Sequence, residues 1–248
     1  IMDETKETSW KIGVTGTLGD NNVDALQLEG LFGPINKVIS TWQLMKDGKI
    51  AQLEIYMVML GYSLPDRRMM SHAKYADEIK FICSHKGRND FITDFALSRT
   101  ENTIVLFQRI AHGKELVRLI KEKNPNRIVY YASGETDLDV REEIRHLTET
   151  NDNVIIVASK GVFSTGINIK KLTHLVIAHP GKAEIQLLQS IGRILRKLSG
   201  KDSVYVWDIV DDASTKVYRN YSIIHAAARV KIYLKERFKF NTIHHELS

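Results

Sequence analysis

Val154-Ile155-Ile156-Val157-Ala158 runs into Ser159-Lys160-Gly161-Val162-Phe163-Ser164-Thr165-Gly166-Ile167-Asn168-Ile169, and a second aliphatic run, His174-Leu175-Val176-Ile177-Ala178, follows. Two short runs rich in β-branched residues, bounded by small and hydroxyl residues, read as buried strands. The helix-length segment Ala183 to Leu195 comes next, so strands alternate with crossover helices and lie parallel. Outward from this centre the alternation repeats. Strands are expected at Lys11 to Val14, Thr103 to Phe107, Arg127 to Tyr131 and Val204 to Ile209, and helices at Gly113 to Lys123, Asp137 to Thr150 and Lys216 to Phe238. In the last helix Ile223, Ala227, Val230 and Leu234 share a face suited to docking on a core. The fold class is α/β, a parallel sheet with helices on both faces. Between Asn21 and Arg99 the pattern is less regular, with Gly33-Pro34, Asp47-Gly48 and Leu64-Pro65-Asp66 as breakers, and a connector is expected there.

The bulk numbers exclude several classes. At 248 residues and 43% apolar content the chain can bury a core. Its one cysteine, Cys83, rules out an internal disulfide, and no Cys/His spacing suits zinc, so no metal-binding residue is assigned. No apolar run reaches the ~18 residues that span a bilayer, and no signal-like start is visible. The expectation is a soluble protein with no membrane partner, in the cytoplasm (the host's, for a viral chain). The net charge of +5 is a weak sign of polyanion binding. Between Lys216 and Lys239 seven basic residues accompany one acid, Glu236, a pattern that a solvated helix face explains equally well.

In a doubly wound sheet ligands bind where strand ends lead into helix N-termini. The loop Ser159 to Ile169 has the small residues that let backbone approach a phosphate, although Gly161 and Gly166 could serve only to turn the chain. The second strand leads to Gln189-Ser190-Ile191-Gly192-Arg193-Ile194-Leu195-Arg196. On a helix, Arg193 and Arg196 share a face, and two guanidinium forks could converge on one anion in a way lysine would not reproduce. Taken alone, such a pair is usually just a solvated helix face.

The order of these segments resembles the motifs of superfamily 2 helicases. Lys11 to Leu18 looks like motif III, Ile104 to Phe107 like motif IV, Ser159 to Ile169 like motif V, and Gln189 to Arg196 like motif VI with its pattern Gln-x-x-Gly-Arg-x-x-Arg. Val105 to Gly113, Tyr131 to Asp137 and Gly161 to Gly166 further resemble the phage UvsW-type DNA helicases, over most of Lys11 to Asp212. The resemblance implies a RecA-like P-loop NTPase fold, here the second helicase lobe, in an ATP-dependent DNA helicase acting on branched recombination and repair intermediates by unwinding, branch migration and annealing. It implies ATP and Mg2+ as cofactors, their ligands mostly on a missing N-terminal RecA-like lobe, and single-stranded and branched DNA as partners.

By the same resemblance Arg193 and Arg196 are catalytic arginine fingers. Gly166, Asn168 and Gln189 join them at ATP, Asn168 standing where many relatives carry Asp. Thr15, Gly16 and Thr17 couple the nucleotide site to DNA, and Arg109, His112, Ser133, Gly134, Ser164 and Thr165 contact the DNA backbone. Residues 1–30 are expected to close the first lobe, 31–60 to connect and lead into the second, and 61–248 to form it. Alone, the fragment is expected to be inactive. No Gly-x-x-x-x-Gly-Lys-[Ser/Thr] loop occurs. Of the four Gly-Lys pairs (Gly48-Lys49, Gly113-Lys114, Gly181-Lys182, Gly200-Lys201) none precedes Ser or Thr, and Asp3-Glu4 is a poor match for motif II. The motor of a repair, restriction or RNA helicase is an alternative, as is a non-catalytic binding module. A dehydrogenase is disfavoured: Val14 to Gly19 mimics a dinucleotide turn, but Asn22 replaces its third glycine and no Tyr-x-x-x-Lys follows.

Overall fold

A computed structural model describes residues 10–14, 22–36, 38–165, 169–181 and 184–247. Two compact units are present, Ile1–Ser40 and Thr41–Ser248. In the first, helix α1 (Asn22–Phe32) ends at Gly33, whose φ of 80° permits the left-handed cap and whose N–H donates to Glu29 O at 2.9 Å. The expected strand at Lys11 to Val14 is not formed. A strand needs a neighbour for its backbone groups, and among the described residues nothing pairs with it. Ile12 and Val14 are accordingly 83% and 94% exposed.

The second unit is built on one sheet: β1 (Gln52–Gly61), β2 (Thr103–Phe107), β3 (Val129–Ala132), β4 (Ile155–Ser159), β5 (His174–Ile177), β6 (Ser203–Asp212) and β7 (Phe240–Glu246). Their spatial order is β3-β4-β2-β5-β6-β1-β7, with every pairing parallel. The helices are α2 (Thr41–Lys46), α3 (Leu64–Met70), α4 (Tyr75–Ser84), α5 (Lys86–Leu97), α6 (Ile110–Lys123), α7 (Leu138–Thr150), α8 (Lys160–Thr165), α9 (Glu184–Ile194) and α10 (Tyr221–Lys235). Strand residues alternate between two cores. Ile104, Leu106, Ile156, Leu175 and Val206 meet α7, α8, α9 and α10 on one face, and Val105, Phe107, Val157, Val176 and Trp207 meet α5 and α6 on the other. The expected parallel α/β sheet with helices on both faces is therefore present.

Three expectations need correction. The stretch read as a connector contains β1, which lies between β6 and β7 in the sheet; Asp47-Gly48 and Leu64-Pro65-Asp66 bracket it rather than interrupt it. The last helix starts at Tyr221 and ends at Lys235, and β7 follows it. Residues 215–218 instead form a turn, in which Thr215 N–H donates to Tyr218 O at 2.8 Å. On α10 Ile223 and Val230 pack against the core as expected, but the buried face carries Ser222, Ala226, Arg229 and Tyr233, whereas Leu234 is 62% exposed and Ala227 is exposed. Polar pairing turns the helix. Arg229 Nε donates to Asp208 Oδ2 at 2.8 Å, Tyr233 Oη donates to the same oxygen at 2.8 Å, and both side chains are buried.

The helix also starts where a carboxylate from α4 meets it. Glu78, fully buried, accepts from Tyr221 N and Ser222 N at 2.9 Å each and from Asn220 Nδ2 at 3.0 Å. These are N–H groups that a helix N-terminus leaves unsatisfied, and the negative charge sits at the positive end of the dipole. A second buried pair joins α5 to β6. Arg88 Nε and Nη2 donate to Asp211 Oδ1 and Oδ2 at 2.6 and 3.1 Å, Nη2 also reaches Ala178 O at 2.8 Å, and Tyr62 Oη donates to Asp211 Oδ1 at 2.9 Å. Burial alone would lower the pKa of Arg88, but Asp211 beside it more than reverses that and the guanidinium stays charged.

Candidate nucleotide and nucleic-acid interface

The exits of β2, β3 and β4 are neighbours at one edge of the sheet, and of the residues expected to face nucleic acid they present Arg109 and Gly134 outward. Arg109 is exposed and stands at the position before the first turn of α6, with no side-chain capping hydrogen bond. At the end of β3, Ser133 and Thr136 close a tight turn: Ser133 N–H donates to Thr136 Oγ1 at 2.9 Å, and Thr136 N–H to Ser133 O at 3.1 Å. The Ser133 side chain is buried, so what the turn offers outward is Gly134, which is exposed with open space about its Cα. Arg141 of α7 braces the loop by donating to Gly134 O at 3.0 Å. Sequence reasoning missed this arginine, since only the loop's own residues matched a motif.

His112 does not reach this surface. It is 2% exposed, shares a hydrogen bond of 3.1 Å with Asn89 Oδ1 and lies 3.4 Å from Arg88 Nη1. Burial, and next the charge of Arg88, push its pKa down to about 3. It is a neutral core histidine, and its side chain is unavailable to a DNA backbone. Arg229 of the basic C-terminal stretch is likewise internal, leaving Lys216, Arg219, Lys231, Lys235, Arg237 and Lys239 as the outward charges. Ser164 and Thr165 close α8, but their side chains lie outside the described residues, as do Thr15, Gly16, Thr17, Gly166 and Asn168 altogether.

Beside these loops a recess of about 10 Å³, lined by Lys160, His179, Ser190 and Arg229 among others, holds no more than a water-sized molecule. Burial lowers the pKa of Lys160, and burial followed by the charges of Lys160 and Arg229 takes His179 down to about 3. A nucleotide does not fit there. A larger open cleft of about 330 Å³, lined by Tyr56, Arg99, His174, Tyr205 and Trp207, lies at the opposite end of the strands, on the face covered by α5.

The two arginines sit elsewhere again. Helix α9 runs back along the sheet from the end of β5, so its last turn lies by the strand starts: Leu195 O accepts from Ala51 N, just before β1, at 3.0 Å. The expectation that both arginines ride on the helix is corrected, because α9 ends at Ile194 and Arg196 follows in the exit turn. They are neighbours all the same. Burial, and then the adjacent Arg196 charge, lower the pKa of Arg193, which is half-buried, while Arg196 and Gln189 are exposed. Leu187, Ile191, Ile194 and Leu195 face inward, so the outward stripe carries Gln189, Gly192, Arg193 and Arg196. Cationic forks on that stripe suit the phosphates of ATP. For Mg2+ the described residues offer no group of three or more His, Cys, Asp or Glu placed to hold a metal ion.

Comparison with known proteins bears on this arrangement directly. Residues 87–197, from α5 through the arginine turn, match the family described as Helicase conserved C-terminal domain. The chain carries a helicase C-terminal domain. It is similar along almost its whole length to the ATP-dependent DNA helicase UvsW of Enterobacteria phage T4, at 38% identity over 97% of this chain and 50% of that protein. A putative helicase of a Sulfolobus islandicus filamentous virus is 24% identical over 82% of the chain and 38% of its own length. The chain thus spans about half, or less, of these relatives. Among solved structures, that of T4 UvsW superposes with a TM-score of 0.70 at 36% identity, covering 90% of this chain and 46% of that one. A DNA-bound restriction-modification enzyme, LlaBIII, shares the fold at a TM-score of 0.62 and 16% identity, over 88% of this chain and 17% of that one. The helicase C-terminal domain is thus of the UvsW-like, RecA-like type, and no helix among the described residues is long and apolar enough to cross a membrane.

Proposed function

We propose that this domain is the C-terminal motor lobe of an ATP-dependent DNA helicase that tracks one strand of branched repair or recombination intermediates, with ATP and Mg2+ held largely by an N-terminal RecA-like lobe. The observation that carries this reading is the arginine turn. Two guanidinium groups on one outward stripe, Arg193 half-buried and Arg196 exposed, can share a single anion brought from outside. A triphosphate clamped between two lobes is such an anion. Arg193 and Arg196 would then stabilise charge on the phosphoryl group in flight, with Gln189, Gly166 and Asn168 around the nucleotide. The uncovered apolar stretch Trp10 to Val14 fits the end of a first lobe whose sheet supplies its neighbours, with Thr15, Gly16 and Thr17 next to it in sequence as coupling residues.

At the other end of the sheet, the exits of β2, β3 and β4 would hold DNA by its phosphates. Arg109 supplies a charge, the Ser133-Gly134 turn supplies backbone, and Ser164 and Thr165 supply hydroxyls. Such contacts position a backbone without reading sequence. The test is a salt titration of the full-length protein against single-stranded oligonucleotides of one length and several sequences. Wild-type affinity should fall with log salt equally for all of them. Arg109→Ala should weaken binding uniformly and flatten the slope of log K by about 0.7, the release of one phosphate's counterion on single strands. Affinity that ignored salt, or varied strongly with sequence, would contradict backbone tracking.

A further inference from the structure

Gly200-Lys201 is a Gly-Lys pair that no phosphate loop explains, and the structure gives it another use. Leu198, Ser199, Gly200 and Lys201 form a tight turn: Lys201 N–H donates to Leu198 O at 3.0 Å, and Gly200 takes a φ of 80°, the left-handed third position that favours glycine. The turn folds the chain back beneath the end of α9. There Lys201, only 7% exposed, donates from Nζ to Ile194 O at 2.6 Å and to Lys170 O at 2.8 Å. No carboxylate pairs with it among the described residues, and burial pulls its pKa down to about 8.

A buried ammonium with carbonyl partners alone is costly, so its position calls for a cause. One partner is the last carbonyl of the helix that carries Gln189 and Arg193, at the negative end of the helix dipole, where a cation is favoured and an acceptor would otherwise stand open. The other, Lys170 O, lies four residues before the start of β5, in the stretch that follows residues 166–168. The remaining end-of-helix contacts, Leu195 O with Ala51 N and Lys197 Nζ with Gly48 O at 2.8 Å, lead to the start of β1 instead. Lys201 alone among these joins α9 to the stretch before β5.

We propose that Lys201 is a positioning residue: its ammonium ties the last carbonyl of α9 to the stretch before β5 and so fixes the helix end from which Arg193 and Arg196 project. This rests on the reading of those arginines given above. Lys201 touches no substrate; it acts through the turn it holds.

The test uses the full-length protein, with DNA-stimulated ATP turnover and melting temperature measured for Lys201→Met, Lys201→Arg and Arg196→Ala. Lys201→Met keeps the length and loses the donors. It should lower kcat per folded molecule about tenfold or more, as misplacement of catalytic groups by about 1 Å does, with a smaller change in KM for ATP. Lys201→Arg keeps a cation with two donors and should stay within about threefold of wild type. A lysine with only a structural role would lower the melting temperature and leave turnover per folded molecule unchanged. Loss of turnover in Arg196→Ala together with wild-type kcat in Lys201→Met overturns the proposal alone, whereas full turnover in Arg196→Ala overturns the reading of the arginines and the proposal with it. Should Lys201→Met fail to fold, Gly200→Ala takes its place. Its added methyl meets nothing within 4 Å and acts only by straining the turn. Reduced kcat supports the proposal, and unchanged kcat in the folded variant overturns it.

Discussion

Arg196→Ala in the full-length protein is expected to lower DNA-stimulated ATP hydrolysis by roughly a hundredfold or more, and Arg193→Ala to do the same, with the fold intact. Arginines that meet charge developing on a transferring phosphoryl group supply on the order of 10³ to 10⁵ in rate in phosphoryl-transfer enzymes, because the guanidinium is already in place and partly stripped of water. The structure adds a difference between the two. Arg193 is half-buried on α9, so its removal also costs packing, whereas Arg196 is exposed beyond the helix end and contributes little to the fold. Arg196→Ala should therefore melt like wild type. Steady-state ATPase and a thermal melt on the same preparations decide the matter, and near-normal turnover in both variants would return the pair to a solvated surface.

Arg88→Met is expected to be the most destabilising single change considered, at about 3 to 5 kcal/mol, because it leaves Asp211 charged and buried with only the Tyr62 hydroxyl on its carboxylate. For a domain of this size that is a fall of roughly 6 to 20 °C in melting temperature. Changing Asp211 to Leu in the same chain should recover part of the loss, since the orphaned carboxylate is then gone. The substitution also alters the acid limb through His112. Its folded pKa of about 3 lies below the unfolded value of about 6.5, so above pH 6.5 the ring is neutral in both states and adds no pH dependence. Below that, the unfolded chain binds a proton that the folded chain refuses, and stability falls by about 1.4 kcal/mol per pH unit for this group. Removing the Arg88 charge, the second cause of the shift, should raise the folded value and so end this limb at a higher pH. Urea unfolding at several pH values, for wild type and Arg88→Met, measures both effects. An unchanged unfolding midpoint would show that the buried pair does not hold α5 to β6.

Much of the fold was legible because buried parallel strands leave uninterrupted aliphatic runs. Thr103 to Phe107 and Val154 to Ala158 each lie within about a residue of the strands found. Elements decided by tertiary contact were not legible. β1 is rich in methionine and carries Glu54 and Tyr56, so it lacks the β-branched signature, and its strand character comes from pairing with β6 and β7 on either side. β7 is almost wholly exposed, and only its pairing with β1 defines it. The face of α10 was half legible: Ile223 and Val230 pack on the core, but an apolar stripe cannot register that Arg229 and Tyr233 are buried on Asp208 and that Ala227 and Leu234 turn outward.

The candidate site divided in the same way. Arg193, Arg196 and Gln189 could be singled out only through the motif order they belong to, and they lie on one outward stripe of α9 and its exit. His112 looked like a surface ligand because it follows a strand exit, and only the packing of Arg88 and Asn89 against it shows otherwise. Lys201 and Arg141 act on backbone carbonyls, and carbonyls leave no trace in a sequence.

The central claim is that this lobe holds one half of an ATPase site, with arginines but without the phosphate cradle. The most direct measurement is ATP turnover by the purified 248-residue chain with Mg2+ and branched DNA, beside the full-length protein under identical conditions. Full-length protein should turn over ATP in response to DNA, and the isolated chain should not rise above the protein-free blank. DNA-stimulated hydrolysis by the isolated chain, lost on Arg196→Ala so that contamination is excluded, would contradict the two-lobe account.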